Sequence, residues 1–247
     1  LPDVKIVALC EVDQTHLDSS IKNLAEMQPD WKVDTYEDFR HILDRQDIDA
    51  ITCATPDHWH ATQTIAALDA GKHVLVEKPM ALTVTEIDAM TAAAERNDRF
   101  LMEAMWMRFN PAHVEALRRI EAGEIGDVLR IEGDFSFDLP FDPAHRLWDR
   151  EQGGGALVDI GIYPFTLAWW YLGEPSSIAH VGHLSENGVD DRVAILCGWP
   201  DGRSATITAG ISVSGTMEAH VIGTDGVIDF PLPSHACALA SWGGRCG

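Results

Sequence analysis

The chain has 247 residues, 46% of them hydrophobic, and a formal net charge of -21 at pH 7. A chain of this length and hydrophobic content can bury more than one core, so two domains are expected. The acidic balance argues against nucleic-acid binding, which needs a basic surface to displace counterions from phosphates.

Strand-like and helical patterns alternate in the first 105 residues. An apolar, β-rich run at residues 5–10 ends at Glu11, and helical spacing of apolar residues follows it. The alternation then repeats, with strands predicted at residues 48–54, 72–76 and 99–105 and helices at residues 62–70 and 85–96. Strands that alternate with helices predict an α/β domain over residues 1–105, built on a doubly wound parallel sheet of the Rossmann type.

A glycine motif is missing from this domain. A dinucleotide-binding domain normally opens with a strand and a GxGxxG turn, whose glycines let the backbone approach the pyrophosphate. No GxGxxG occurs in the chain. Glu11 resembles the acidic residue that follows this motif by roughly 20 residues. We therefore expect a fragment that lacks the first βα unit. The alternative is a divergent protein that never had one.

The pattern changes after residue 105. A helix is predicted at residues 111–122, a long alternating strand at 126–137 and an apolar helix at 165–172. Strand-like runs follow at residues 177–184, 192–199, 204–212 and 218–222. This order predicts an α+β domain over residues 106–247 with a largely antiparallel sheet. The tail from residue 233 has no periodic pattern, so we expect no function there and interpret it as a truncation or a shifted reading frame.

Lys78 is the first candidate for chemistry. The segment GKHVLVEKP at residues 71–79 is a buried-strand pattern that ends in Glu77, Lys78 and Pro79. Ligands of open α/β sheets bind outside the carboxyl ends of such strands, so Lys78 is expected to face a crevice. A partly desolvated ammonium suits proton transfer. The alternative is a solvated lysine in a strand-to-helix turn.

This segment resembles a known family when it is taken with ATPDHWH at residues 54–60 and GGGALVDIGIYP at residues 153–164. The family is Gfo/Idh/MocA, the NAD(P)-dependent oxidoreductases related to glucose-fructose oxidoreductase and inositol dehydrogenase, and the second half is most similar to its dihydrodiol and xylose dehydrogenase branch. The resemblance implies hydride transfer between a nicotinamide cofactor and a sugar, cyclic polyol or dihydrodiol held between the domains. It also implies a homo-oligomer formed through the second-domain sheet.

The resemblance assigns roles to individual residues. Lys78, Asp159 and Tyr163 match the catalytic residues, with Tyr163 as acid/base and the Lys78 ammonium favouring its phenolate form. Asp159 and Tyr163, four residues apart, would share one helix face. Glu11 should bind the adenosine ribose, which favours NAD, with NADP as the alternative. Cofactor contacts are expected from Glu11, Thr55, Pro56, Trp59, His60, Glu77, Lys78 and Arg108, and substrate contacts from Lys78, Arg146, Trp148, Asp159 and Tyr163.

Two other motifs have simpler interpretations. The three glycines at residues 153–155 precede a helix of the second domain, and we expect a tight turn rather than a phosphate loop. His58 and His60 suggest a metal site, but a single residue separates them and no third ligand is evident, so no metal is predicted.

The sequence also indicates the cellular compartment. No apolar stretch approaches the roughly 18 residues of a spanning helix and no signal peptide opens the chain, so we expect a cytoplasmic protein without membrane contact. The chain has five cysteines, which show no CxxC spacing and are interpreted as reduced: Cys10, Cys53, Cys197, Cys237 and Cys246.

A non-catalytic relative that senses dinucleotides and an inactive gene fragment are the alternatives to an enzyme. The joint presence of Lys78, Asp159 and Tyr163 favours an enzyme.

Overall fold

The computed structural model describes residues 4–27, 29, 32–231, 233–236 and 241–244. The described residues form two compact units. The first contains the described residues up to Thr55 together with Trp59–Glu103, and the second contains Pro56–His58 and the described residues from Ala104 onward.

Parallel strands and helices alternate along the first unit, as predicted. Strands β1 (Ala8–Cys10) and β2 (Asp34–Tyr36) form one parallel pair, and β3 (Ala50–Cys53), β4 (His73–Val76) and β5 (Leu101–Glu103) form a parallel sheet in the order β3-β4-β5. The short, polar β2 was not predicted. The helices are α1 (Gln14–Met27), α2 (Arg40–Leu43), α3 (Asp57–Asp69) and α4 (Val84–Asn97).

Local sequence explains where α4 begins. The Thr83 side chain accepts a hydrogen bond from the Glu86 backbone N–H, and the Glu86 carboxylate accepts one from the Thr83 backbone N–H. This capping box satisfies two helix-end donors, and a cap of this kind typically stabilises a helix by about 1 kcal/mol. The helix buries Met90 and Ala93, and Leu68 of α3 and Val74 and Val76 of β4 belong to the same core cluster.

The two parallel sheets of the first unit remain separate. Among the described residues, β1 pairs only with β2 and β3 pairs only with β4. Both strands are rich in apolar residues, yet all of β1 is only partly buried, and in β3 only Cys53 is buried. Apolar strands of a parallel sheet are normally covered on both faces and flanked by further strands. The edges of β1 and β3 are therefore unsatisfied by the described part of the chain.

The second unit is built on a seven-stranded sheet with the order β12-β11-β10-β6-β9-β8-β7. All neighbours are antiparallel except the parallel pair β6 and β9. The pair β11 and β12 was not predicted, and β12 lies in the tail for which we expected no pattern. The strands are β6 (Val128–Ser136), β7 (Ser177–Leu184), β8 (Asp190–Gly198), β9 (Ser204–Gly210), β10 (Ala219–Gly223), β11 (Gly226–Phe230) and β12 (Ser241–Gly244).

Helices cover one face of this sheet. They are α5 (Pro111–Glu121) and α6 (Ile162–Leu172), and a π-helical turn at Leu157–Gly161 leads into α6. Gly133 allows the close approach of α6, because a Cβ at this position would lie 2.8 Å from the Pro164 Cβ. Short 3-10 turns complete the unit at Trp106–Phe109, Arg146–Trp148, Arg150–Gln152 and Ser234–Ala236.

Candidate functional site

The carboxyl ends of β3 and β4 bring several predicted residues to one edge of the sheet. Because these strands are parallel, Thr55 and the pair Glu77 and Lys78 follow them at the same edge. The Glu77 backbone N–H donates to the Cys53 carbonyl oxygen at 2.8 Å, which continues the pairing past β4. Lys78 is half-buried, and the Lys78–Pro79 peptide bond is cis. This edge is the ligand-binding edge expected of an open parallel sheet.

His60 has a structural role that the sequence analysis missed. Its side chain is only 1% exposed, its Nδ1 lies 2.8 Å from the Pro79 carbonyl oxygen, and its Nε2 lies 2.8 Å from the Thr55 carbonyl oxygen. Carbonyl oxygens only accept hydrogen bonds, so a neutral imidazole satisfies one of them and an imidazolium satisfies both. His60 thus ties the loop after β3 to the loop that carries Lys78. Its predicted contact with the cofactor stays a prediction.

The turn after β1 holds Glu11 in place. One oxygen of its carboxylate accepts hydrogen bonds from the backbone N–H groups of Val12 at 2.8 Å and Asp13 at 3.0 Å. Its other oxygen accepts none from the residues that the structure describes. Asp13 caps α1, and the N–H groups of His16 and Thr15 hold the pKa of its carboxyl below the usual range. This turn presents Glu11 at the end of β1, where a ribose ligand is expected.

The remaining cofactor candidates lie in different surroundings. Thr55 is half-buried and its hydroxyl donates to Gln63 Oε1 at 3.0 Å. Trp59 and Pro56 are exposed. The Arg108 guanidinium lies over the Trp170 ring, 5.4 Å from its centroid, a cation–π contact within the second unit.

The glycine run forms the tight turn that was predicted. Gly153 and Gly155 have φ values of 85° and 132°, which side chains rarely adopt. A Cβ on Gly154 would lie 2.5 Å from the Arg146 carbonyl oxygen. Beyond the turn, the Asp190 carboxylate accepts a hydrogen bond from the Leu157 N–H at 2.6 Å, and burial raises the pKa of Asp190. The run therefore positions the start of the π-helical turn.

Asp159 and Tyr163 are buried in successive turns, with 5% and 6% of each residue exposed. The predicted single α-helical face is modified, because Asp159 lies in the π-helical turn and Tyr163 in the first turn of α6. Arg146 Nη2 donates to Asp159 Oδ1 at 3.0 Å. Trp106 Nε1 donates to the Tyr163 hydroxyl oxygen at 3.1 Å. Trp106 was missed, since no periodic pattern marks an aromatic residue in a 3-10 turn.

Trp148 lies in the core of the second unit. It is 3% exposed, its Nε1 donates to the Pro140 carbonyl oxygen at 3.2 Å, and its ring packs edge-on against Phe141. The next-but-one neighbour Arg146 is far more accessible, and its pairing with Asp159 places it within the candidate site. Contact of Trp148 with substrate stays a prediction, whereas its packing supports the turn that carries Arg146.

Within the described part of the chain, no group of three His, Cys, Asp or Glu side chains could hold a metal ion. No helix among these residues is long and apolar enough to cross a membrane. Cys10, Cys53 and Cys197 are free thiols, while Cys237 and Cys246 lie outside the described residues.

Comparison with protein families decides where the chain belongs. Residues 2–105 match the oxidoreductase family with an NAD-binding Rossmann fold, and residues 113–229 match the GFO/IDH/MocA C-terminal domain. The chain is a member of the GFO/IDH/MocA oxidoreductase family. Both the family and the fold class that the motifs predicted are thereby confirmed.

Individual relatives of this family support the same branch. The chain is 37% identical to trans-1,2-dihydrobenzene-1,2-diol dehydrogenase of Mus musculus, over 78% of this chain and 58% of the relative. The Homo sapiens enzyme of the same name is 36% identical over 80% of this chain and 59% of the relative. The chain thus spans less than two thirds of the length of these relatives.

Solved structures of the family superpose over nearly the whole chain. Aldose-aldose oxidoreductase from Caulobacter crescentus, complexed with glycerol, has a TM-score of 0.82 and 28% identity, and the match covers 98% of this chain and 76% of that one. Levoglucosan dehydrogenase complexed with NADH has a TM-score of 0.82 and 26% identity, with 97% and 70% covered.

The described residues fit a dinucleotide in part. Glu11 offers a carboxylate oxygen at the end of β1, and Thr55 and Lys78 offer polar groups at the ends of β3 and β4. A glycine-rich strand-to-helix turn that could cradle the pyrophosphate is absent from the sequence. The fit is therefore limited to the contacts predicted for Glu11, Thr55 and Lys78.

Proposed function

We propose that this protein is an NAD(P)-dependent dehydrogenase acting on a secondary hydroxyl of a sugar, cyclic polyol or dihydrodiol. The observation that carries the proposal is the burial of Asp159 and Tyr163 in adjacent turns, each hydrogen-bonded to a donor from another segment. Burying a carboxylate and a phenol in a mostly apolar core costs free energy. Proton transfer at a substrate hydroxyl is a function that needs both groups at this position.

Each residue has a defined part in this reaction. When bound, a nicotinamide cofactor would accept the hydride from the substrate carbon. Tyr163 takes the hydroxyl proton of the substrate, and the Trp106 N–H that donates to its oxygen favours the phenolate. Asp159, fixed by Arg146, accepts a hydrogen bond from the substrate and orients it. Lys78 is the third catalytic residue of the proposal, and Arg146 also contacts the substrate.

For the cofactor, we propose contacts from the first-unit strand ends. Glu11 accepts hydrogen bonds from the adenosine ribose, so NAD is preferred over NADP. Glu77 and Lys78 hold the nicotinamide side, and Thr55 lines the groove. Pro56, Trp59, His60 and Arg108 complete the proposed set.

The phosphates require an additional element. The unpaired edges of β1 and β3 support the proposal that one more parallel strand, followed by a GxGxxG turn, completes the sheet. Joining such a βα unit of about 30 residues to the chain should produce NADH fluorescence enhancement and thermal stabilisation that the unextended chain lacks. The matched control is the same unit with its first glycine replaced by valine. Tight NADH binding by the unextended chain would contradict this proposal.

We further propose a cytoplasmic homo-oligomer. Val181 on β7 is 70% exposed and Leu196 on β8 is 54% exposed, on the sheet face opposite the buried Ile195 and Cys197. Exposed apolar side chains on a sheet face support association with a second copy. The free thiols of Cys53 and Cys197 fit a reducing compartment. Replacing Val181 by Glu should convert the oligomer to a monomer in sedimentation analysis.

Turnover tests the proposed reaction directly. NADH formation is followed with a sugar, a cyclic polyol and a dihydrodiol as substrates, in the completed protein, which is the chain joined to the GxGxxG-bearing βα unit described above (the completing unit). Tyr163→Phe and Lys78→Met should each lower kcat by about 10²- to 10⁴-fold while NADH still binds. Tyr171→Phe, which removes another phenol hydroxyl from α6, is the matched control. Cofactor binding without turnover of any substrate would favour the dinucleotide-sensing alternative instead.

A further inference from the structure

Three aromatic rings surround the Tyr163 phenol, and the four residues together form an aromatic cage of Trp106, Phe135, Tyr163 and His235. The His235 imidazole stacks on Phe135, with 4.0 Å between ring centroids and 14° between ring planes. It lies 5.0 Å from the Tyr163 ring and meets Trp106 edge-on at 5.7 Å. Phe135 in turn contacts the Tyr163 ring at 5.4 Å. His235 therefore touches every other member of the aromatic cage.

The neighbour of His235, Ser234, anchors the segment through both its backbone N–H and its backbone carbonyl. The Ser234 N–H donates to the Met217 carbonyl oxygen at 2.7 Å. The Ser234 carbonyl oxygen lies 2.8 Å from Nε2 of the fully buried His113, which must donate because the carbonyl only accepts. The His113 ring is itself stacked on Phe230 of β11. These contacts hold the 3-10 turn at Ser234–Ala236 against the sheet, so the position of His235 is set by the fold.

We propose that His235 is a positioning residue for Tyr163. With Phe135 and Trp106 it limits sideways movement of the phenol ring, so that the hydroxyl stays aligned with Trp106 Nε1 and faces the substrate. The inference rests on the proposed function, because it assigns His235 to the support of the acid/base residue. It also departs from our expectation that the tail after residue 232 has no function.

Geometry explains why this support matters. The Tyr163 hydroxyl oxygen lies on the axis of the Cβ–Cγ bond, so rotation about that bond leaves the oxygen in place, whereas rotation about the Cα–Cβ bond moves it sideways. Aromatic neighbours at 5.0–5.9 Å restrict this sideways movement through packing and edge-to-face contacts. A displacement of about 1 Å at a reacting group can lower the rate by about 100-fold. Removing the imidazole leaves one side of the Tyr163 ring without its neighbour, whereas replacing it with another ring restores the wall.

The test therefore compares His235→Ala with His235→Phe. Alanine removes the ring, and phenylalanine keeps the stack but cannot ionise or form a hydrogen bond. With the completing unit attached, His235→Ala should lower kcat by about 10- to 100-fold with little change in the KM for NAD, and His235→Phe should recover most of the loss. A control is His41→Ala, which removes a histidine ring lying 6.3 Å from Tyr36 in the first unit.

A second readout needs no turnover. The chain has three tyrosines, so ring-labelled tyrosine gives three resonances, and Tyr163→Phe identifies the one that matters. His235→Ala should shift the Tyr163 signal and speed its ring flips, His235→Phe should restore it, and His41→Ala should affect Tyr36 alone. An unchanged Tyr163 signal in His235→Ala would overturn the inference, whether or not the protein turns over.

The remaining outcomes separate the two proposals. If wild-type protein is inactive but the Tyr163 signal responds to His235→Ala, the proposed reaction fails and the contact stands. If Tyr163→Phe abolishes turnover and His235→Ala leaves kcat unchanged, the reaction stands and the positioning role fails. A His235→Ala variant with higher turnover or tighter substrate binding would show that the imidazole obstructs the site, which also refutes positioning. Failure of His235→Phe to rescue kcat would mean that the imidazole nitrogens, not the ring, are required.

Discussion

His60 provides the sharpest stability prediction for the first unit. Replacing it with leucine keeps a side chain of similar size but removes the ring N–H that donates to the carbonyl oxygen of Pro79 or of Thr55. A buried acceptor left without a donor costs about 1–3 kcal/mol. A neutral imidazole has one ring N–H, so the expected loss is that of one hydrogen bond, about 1–3 kcal/mol, out of the roughly 5–15 kcal/mol that stabilises a typical domain.

Thermal unfolding followed by circular dichroism measures this loss. For a unit of about 100 residues, 1 kcal/mol shifts Tm by about 4–8 °C, so His60→Leu should lower the transition of the first unit by at least about 4 °C. His60→Gln is the matched variant, because its amide still donates and should recover part of the loss. A Tm for His60→Leu within about 2 °C of the wild type would show that water replaces the imidazole, and the role of His60 as a tie between the two loops would be wrong.

Three more predictions concern charge. Burial raises the pKa of the Asp190 carboxyl, so the stability that its protonated form contributes is lost as pH rises through that pKa. Asp190→Asn keeps an acceptor for the Leu157 N–H and should be at least as stable as the wild type at pH 7, while Asp190→Ala should lose about 1–3 kcal/mol of unfolding free energy in urea. Burial lowers the pKa of His113, so the second unit should lose stability as pH falls below about 6.5, and His113→Gln should flatten that dependence unless the titrating group lies elsewhere. Glu11→Gln should raise the NADP to NAD ratio of kcat/KM by about tenfold in the completed protein, and a ratio within twofold of wild type would place Glu11 away from the ribose.

Long, strongly patterned elements could be predicted from the sequence, and weakly patterned ones could not. The apolar run of β4 and the apolar helix α6 were recognised because periodicity reports which face is buried. Strand β2 has three residues, two of them exposed, so it carries no such signal. Strand β12 lies in a stretch with no period and exists through its pairing with β11. Pairing is a long-range property that local propensity does not encode.

In the candidate site, too, residues with a local sequence pattern could be predicted, and features that depend on tertiary packing could not. Lys78, Asp159 and Tyr163 were found through motifs, which mark residues by their neighbours in the sequence. The π-helical turn was not predicted, because the one-residue widening of a helix depends on packing. Here the Asp190 carboxylate at the start of β8 accepts a hydrogen bond from the Leu157 N–H of this turn. The pairing of Arg146 with Asp159 spans 13 residues and a glycine turn, and its geometry follows from that turn's backbone.

His235 shows how far this limitation extends. Nothing around it in the sequence is periodic, and its only route to Tyr163 is through tertiary contacts: the register of β6 places Phe135, the turn before α5 places Trp106, and His113 of α5 holds the adjacent carbonyl. Each of these contacts joins segments that lie far apart in the sequence. A motif can identify the residue that performs the chemistry because that residue has a fixed local setting. The residues that hold it in position are recruited from wherever the fold brings a suitable side chain, so only the folded structure can identify them.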